Sequence, residues 1–157
     1  MQAFLVAVHV LFVVIWVGGM IFAYSFQRPA AATQLEGPER LRLWVATFQG
    51  FFPWVWAAII LLPLTGYTYI FRYLGGMDGA PLYVHLMSGL GILMILLYLH
   101  VYFAPFRKLR DAVNTGDWQE GARQLGRIRR TVAINMTIGV VVIAIAAAGK
   151  QGLWLLA

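Results

Sequence analysis

Residues 3–26 have the sequence AFLVAVHVLFVVIWVGGMIFAYSF, which contains no Asp, Glu, Lys or Arg. A helix needs ~20 mostly apolar residues to cross ~30 Å of hydrocarbon, so this stretch is long enough to span a membrane. It lacks the basic start and the small-residue cleavage site of a signal peptide, which favours a retained helix. Three more apolar segments follow, at about 48–71, 82–103 and 131–149. The sequence therefore predicts an all-α integral membrane protein, a four-transmembrane-helix up-down bundle.

Composition agrees with this prediction. The chain has 157 residues, of which 61% are hydrophobic and 11% charged, whereas soluble domains are about half apolar and about a quarter charged. The length suits one domain, 1–157, with helices at about 3–26, 48–71, 82–113 and 117–149. There is no cysteine, which excludes disulfides, thiolate metal sites and c-type haem attachment.

The basic residues predict the orientation in the membrane. The loop after the first segment carries three of them and the loop after the third carries seven, whereas only Arg72 and Lys150 lie on the other side. The positive-inside rule makes the loops after the first and third segments cytoplasmic. We therefore expect a bacterial-type inner membrane protein with both termini on the outer, periplasmic side. Because the net charge of +6 collects at segment ends, it does not indicate nucleic-acid binding.

The third loop is long enough to form structure of its own. Apolar residues at helical spacing extend the third helix to about residue 113, and Asn114-Thr115-Gly116 would end it. Asp117 followed by Glu120 fits a capping box that begins the next helix. The result is a cytoplasmic helical hairpin, whose basic residues either reflect topology alone and attract anionic lipid or dock a partner.

His9 and His85 are the strongest functional signal, because a histidine in hydrocarbon is costly. At 1.5 Å per residue they lie ~9 Å and ~5 Å from the outer ends of their helices. In an up-down bundle those helices are diagonal, and the wide gap suits a haem b with two axial histidines. Trp16 would then pack on the macrocycle, with Arg72 and Lys150 near the propionates. The alternative is that both histidines are buried and satisfy backbone or hydroxyl groups.

A second site is predicted less directly. His100 faces roughly the same side as His85 but near the cytoplasmic surface. On the first helix, Met20 follows His9 by eleven residues, which regular helical spacing places about 20° off the face of His9 and at a depth comparable to that of His100. Together His100 and Met20 could hold a second haem or a copper ion, although His100 could equally be an interfacial histidine near headgroups. Met77 and Met87 flank His85 and could collect Cu(I) from outside, since thioethers are soft ligands.

Several stretches resemble the CopD (copper resistance protein D) membrane family. They are LFVVIWVGGM at 11–20 with His9 before it and Arg28-Pro29 after it, YVH at 83–85, and HVYFAPF at 100–106. The resemblance implies a copper uptake or tolerance protein. It extends to HemJ-type protoporphyrinogen oxidases, which implies that His9, Arg28 and His85 are haem-site or functional positions. That family has a lysine two residues after its second histidine, where this chain has Met87, so the resemblance does not favour the oxidase activity.

These observations lead to one main hypothesis and two alternatives. The main hypothesis is a haem b-binding inner-membrane protein with an electron-transfer or oxidoreductase role, served by an unidentified redox partner or quinone. The first alternative is a CopD-type copper-binding protein that uses His9, His85, Met77 and Met87 outside and Met20 and His100 inside. The second is a scaffold that docks a partner through the hairpin arginines. A homodimer remains open in each case.

Overall fold

The computed structural model describes residues 1–152, and these form four long helices without a strand. The helices are α1 (Gln2–Gln34), α2 (Gly37–Tyr73), α3 (Leu82–Thr115) and α4 (Trp118–Lys150). Each is long and apolar enough to cross a membrane. The predicted all-α, four-helix membrane fold is therefore confirmed, and the chain is a multi-pass membrane protein in contact with lipid. Residues 153–157 of the predicted domain lie outside the described part.

The helices pack as two close pairs, α1 against α2 and α3 against α4. An aromatic cluster from α2 and α3 fills the middle of the bundle. The Phe52 ring lies 4.8 Å from Phe106 and 5.4 Å from Tyr98, both edge to face, which is the geometry that aromatic quadrupoles favour. On α1, Trp16 meets Tyr98 edge to face at 6.3 Å. This cluster joins three of the four helices.

Two helices contain wider, π-helical turns. They occur in α1 at Val14–Gly18 and Ala23–Gln27, and in α3 at Tyr102–Phe106. Such turns change the angle between residues before and after them, and they are frequent at functional sites. The sequence argument that relates Met20 to His9 assumes regular spacing, and the first of these turns lies between the two residues. The predicted register of that pair is therefore not reliable.

The α3–α4 turn has the predicted chemistry. Gly116 adopts a left-handed conformation with φ 74°, which glycine tolerates without a steric penalty. The Asp117 carboxylate then accepts a hydrogen bond from the Glu120 backbone N–H at 3.0 Å. This is one half of the predicted capping box, because the Glu120 side chain instead pairs with Gln124 and Arg123. We refer to the end of the bundle that contains this turn as the turn end.

Replacing Asp117 by alanine should destabilise the protein by about 1 kcal/mol, since it removes an acceptor for an otherwise unpaired helix-end N–H. The measurement is the free energy of unfolding from a denaturant titration in detergent. Asp111→Ala is the control, because Asp111 is exposed and its carboxylate meets only Arg110, at 3.8 Å. Equal stability losses in the two variants would contradict the capping role.

Candidate functional site

A cavity of about 390 Å³ lies among all four helices, toward the end opposite the turn end. Its volume is in the range of small-ligand sites, ~300–1,000 Å³. The wall is mostly apolar, and the groups with polar or sulfur atoms are few. They include His9 and Trp16 from α1, Thr65 and Tyr67 from α2, and Met87 and Ser88 from α3.

His9 is held in one orientation by α2. Its Nδ1 lies 2.9 Å from the Thr65 hydroxyl oxygen, and that hydroxyl is 2.6 Å from the Leu61 carbonyl oxygen. A hydroxyl has one proton to donate, and the carbonyl can only accept, so Thr65 donates to Leu61 and accepts from His9 Nδ1–H. In its neutral form the imidazole therefore carries its proton on Nδ1. Within residues 1–152, its Nε2 makes no hydrogen bond, which leaves a lone pair available to a ligand.

Gly66 allows the imidazole to lie close to α2. A Cβ atom at this position would be 3.3 Å from His9 Cε1 and 3.7 Å from Nδ1, and the first of these distances is tighter than ordinary van der Waals contact. Small residues let membrane helices approach each other in the same way. Thr65 and Gly66 thus fix the position of His9. Thr65 accepts its hydrogen bond, and Gly66 has no side chain that would push the imidazole away from α2.

The cavity wall also includes two methionines. Met87 and Met94 of α3 both line the cavity with His9. Beside them, the Tyr67 and Ser88 hydroxyls are 2.8 Å apart and connect α2 to α3. One imidazole nitrogen and two thioethers make a soft donor set of the kind that Cu(I) prefers.

His85 does not share this cavity, and the predicted two-histidine site is not formed. Its side chain is exposed and does not line the cavity, whereas Val84, Met87, Ser88 and Gly91 do. A helix turns about 100° per residue, so His85 points away from the face that Val84 and Ser88 share. The sequence argument matched the depths of the two histidines but not the faces of their helices.

The predicted pair of His100 and Met20 is also absent. Met20 is buried and lines a second cavity of about 220 Å³, nearer the turn end. His100 is exposed and lines neither cavity. Trp16, in contrast, lines both cavities. In the second one Asn135 is buried, and its amide donates to the Met94 carbonyl at 3.3 Å.

The basic residues that the sequence analysis named as candidates do not line either cavity. The Arg72 side chain is exposed and donates to the Met1 sulfur at 3.3 Å. Lys150 is exposed as well. The Arg28 guanidinium lies over the Tyr24 ring, 4.9 Å from its centre. Sequence reasoning missed Thr65, Gly66, Tyr67 and Ser88, although small and hydroxyl residues inside an apolar segment do mark helix contacts.

Within residues 1–152, no group of three or more His, Cys, Asp or Glu side chains could hold a metal ion.

One comparison with known proteins gives a family. The family model described as "CopD: Copper resistance protein D" matches residues 45–148. The match covers most of α2, all of α3 and nearly all of α4, and it excludes the part of the chain that carries His9. No curated protein and no solved structure matches the chain significantly.

Proposed function

The chain belongs to the copper resistance protein D (CopD) family, and we propose that it is a membrane copper-binding protein that takes Cu(I) into the cavity beside His9. Copper is the cargo in this proposal. The proposal rests on the His9 imidazole. Its Nδ1–H donates to Thr65, whereas within residues 1–152 its Nε2 has no hydrogen-bond partner. A metal-binding histidine characteristically has its other ring nitrogen fixed by such a hydrogen bond.

The thioethers of Met87 and Met94 would complete the ligand set, since both line the same cavity as His9. Thioether and imidazole ligands together favour Cu(I) over harder cations. No Asp or Glu lines the cavity, so a divalent ion would keep most of its charge uncompensated in an apolar wall. Positive-inside orientation would place the cavity on the periplasmic side, which suits capture of copper from outside the cell.

Detergent-purified protein should bind about one Cu(I) per chain in competition with a chromogenic Cu(I) chelator. Met87→Leu should weaken the affinity by at least about tenfold, which is ~1.4 kcal/mol, because leucine keeps the bulk and removes the sulfur. Met136→Leu is the matched control, since Met136 packs against the core and lies outside both cavities. Failure of the wild-type protein to compete for Cu(I) would contradict the proposal.

Haem b is the second candidate, and the same observation favours it. A neutral, hydrogen-bonded imidazole is also what a proximal haem ligand provides. The bis-histidine arrangement does not fit, because His85 lies outside the cavity, so His9 would bind the iron from one side. An electron-transfer role with a redox partner or quinone is proposed only together with haem binding and not together with copper binding. A dithionite-reduced optical spectrum with a pyridine haemochrome assay separates it from copper binding.

A further inference from the structure

Within residues 1–152, two buried hydrogen-bond donors near the turn end have no acceptor. They are the indole N–H of Trp44 and the Nε–H of Arg129. The two side chains are neighbours, with the Arg129 guanidinium carbon 5.9 Å from the centre of the Trp44 ring. Trp44 is only 3% exposed. A buried donor left unpaired costs about 1–3 kcal/mol, and more when it is charged. Two such donors side by side indicate an acceptor that belongs to a bound group.

The surroundings of this pair are strongly positive. Burial lowers the pKa of the Arg129 guanidinium, and the charges of Arg28 and Arg40 lower it further, as expected for cations at the same end of the bundle. Arg129 precedes the apolar part of α4 and stands outside it. Among the described residues, no carboxylate lies within 4 Å of these three arginines, since the two ion pairs present are Arg110–Asp111 and Arg123–Glu120. The cluster therefore carries uncompensated positive charge.

The position along the chain sets the depth of the cluster. Arg28 follows the apolar stretch 3–26, and Arg129 lies two residues before the apolar segment 131–149. Basic residues at such borders lie at the level of the lipid headgroups. Nearby, the Gln27 amide donates to the Thr47 hydroxyl at 2.7 Å and fixes α1 against α2. The cluster thus lies between helix ends, at the depth where phosphates are abundant.

We propose that Trp44 and Arg129 form a binding site for a phosphate group, to which the charges of Arg28 and Arg40 attract the anion. Phosphate oxygens accept several hydrogen bonds at once, and guanidinium groups match them with paired N–H donors. Phosphate would satisfy the unpaired N–H groups and neutralise the three cations. An anionic phospholipid headgroup and free inorganic phosphate share this chemistry, and basic pockets between membrane helices are known to bind lipid headgroups. The site is independent of copper, because it lies outside both cavities.

The test is ligand-dependent thermal stability of the full chain in a neutral detergent, because a ligand that binds the folded state raises Tm in a saturable way. The two probes are dihexanoyl-phosphatidylglycerol and inorganic phosphate, each against chloride at the same ionic strength. A saturable rise with the lipid alone assigns the site to a headgroup. A similar rise with inorganic phosphate assigns it to the free anion. If neither probe raises Tm above the chloride reference, the proposal is wrong.

Matched variants show whether the named residues carry the effect. Arg129→Gln and Trp44→Phe should each raise the half-saturating concentration, the first about tenfold or more and the second several-fold. Arg130→Gln removes the same charge from an exposed neighbour and should change it by less than about twofold, as exposed charges contribute little. If Arg129→Gln does not fold, Arg28→Gln takes its place. Equal losses in Arg129→Gln and Arg130→Gln would mean non-specific attraction and would overturn the proposal.

Discussion

Replacing His9 by alanine is expected to lower the Cu(I) affinity of the purified protein by more than about a hundredfold. The change removes the one nitrogen ligand of the proposed site and leaves thioethers alone. Loss of a hydrogen bond that only orients a ligand already costs ~10–100-fold in metal affinity, so loss of the ligand itself should cost more. The measurement is the same chelator competition, with near-ultraviolet circular dichroism to establish that the variant is folded.

Thr65→Val separates coordination from orientation. Valine has nearly the shape of threonine, but it cannot accept the His9 Nδ1–H bond of 2.9 Å, so the imidazole keeps its place and loses its fixed tautomer. We expect a loss of ~10–100-fold, smaller than that of His9→Ala. His100→Ala should bind like the wild type, because His100 is exposed and outside both cavities. If instead His85→Ala removes binding and His9→Ala does not, the site lies outside the cavity.

The fold could be predicted from the sequence because it depends on signals that act along the chain. Hydrocarbon thickness sets the segment length, and the four apolar segments are separated by charged loops. The turn at Gly116–Asp117 was equally readable, since a left-handed glycine and a capping aspartate are local features. Each of these signals can be recognised without knowing how the helices pack.

The site could be predicted only in part, because its formation depends on how each helix is rotated about its own axis. Lipid is as apolar as the bundle interior, so hydrophobicity does not reveal which face of α3 turns inward. His85 was predicted to face the site and instead lies outside the cavity for that reason. The π-helical turn at Val14–Gly18 adds a second error, since it changes the angle that regular spacing assigns to Met20. For His9, in contrast, the position in the site depends only on the rotation of its own helix and on its contact with Thr65.

The buried donors of Trp44 and Arg129 illustrate the same limit. In the sequence, Trp44 resembles any aromatic residue of an interfacial belt, and Arg129 is one of several cations of a positive-inside loop. Only the packing of α2 against α4 buries both groups and leaves their N–H donors without acceptors. The proposed phosphate site therefore follows from contacts between helices and not from the residue pattern.

The second large effect is expected at the turn end, where Leu109 of α3 and Ile128 of α4 are both 0% exposed. The helices approach closely there, since a Cβ at Gly121 would be 3.0 Å from the Leu41 side chain and 3.9 Å from that of Leu109. Side chains packed this closely cannot move to fill the space that a truncated side chain would leave. Ile128→Ala should therefore lower the free energy of unfolding by about 2–5 kcal/mol, and Ile128→Val by about 0.5–1.5 kcal/mol.

Ile134→Ala makes this a test of protein packing rather than of side-chain size. Ile134 is on the same helix, but it is 51% exposed and lies in the apolar part of α4. Its truncation removes contacts with lipid that alanine and the surrounding chains can largely replace, so we expect a loss below about 1 kcal/mol. A denaturant titration in detergent compares the three variants. Similar losses for Ile128→Ala and Ile134→Ala would mean that the turn end is not a packed core. The side chains around the Trp44 and Arg129 donors would then be too loosely packed to exclude water from them.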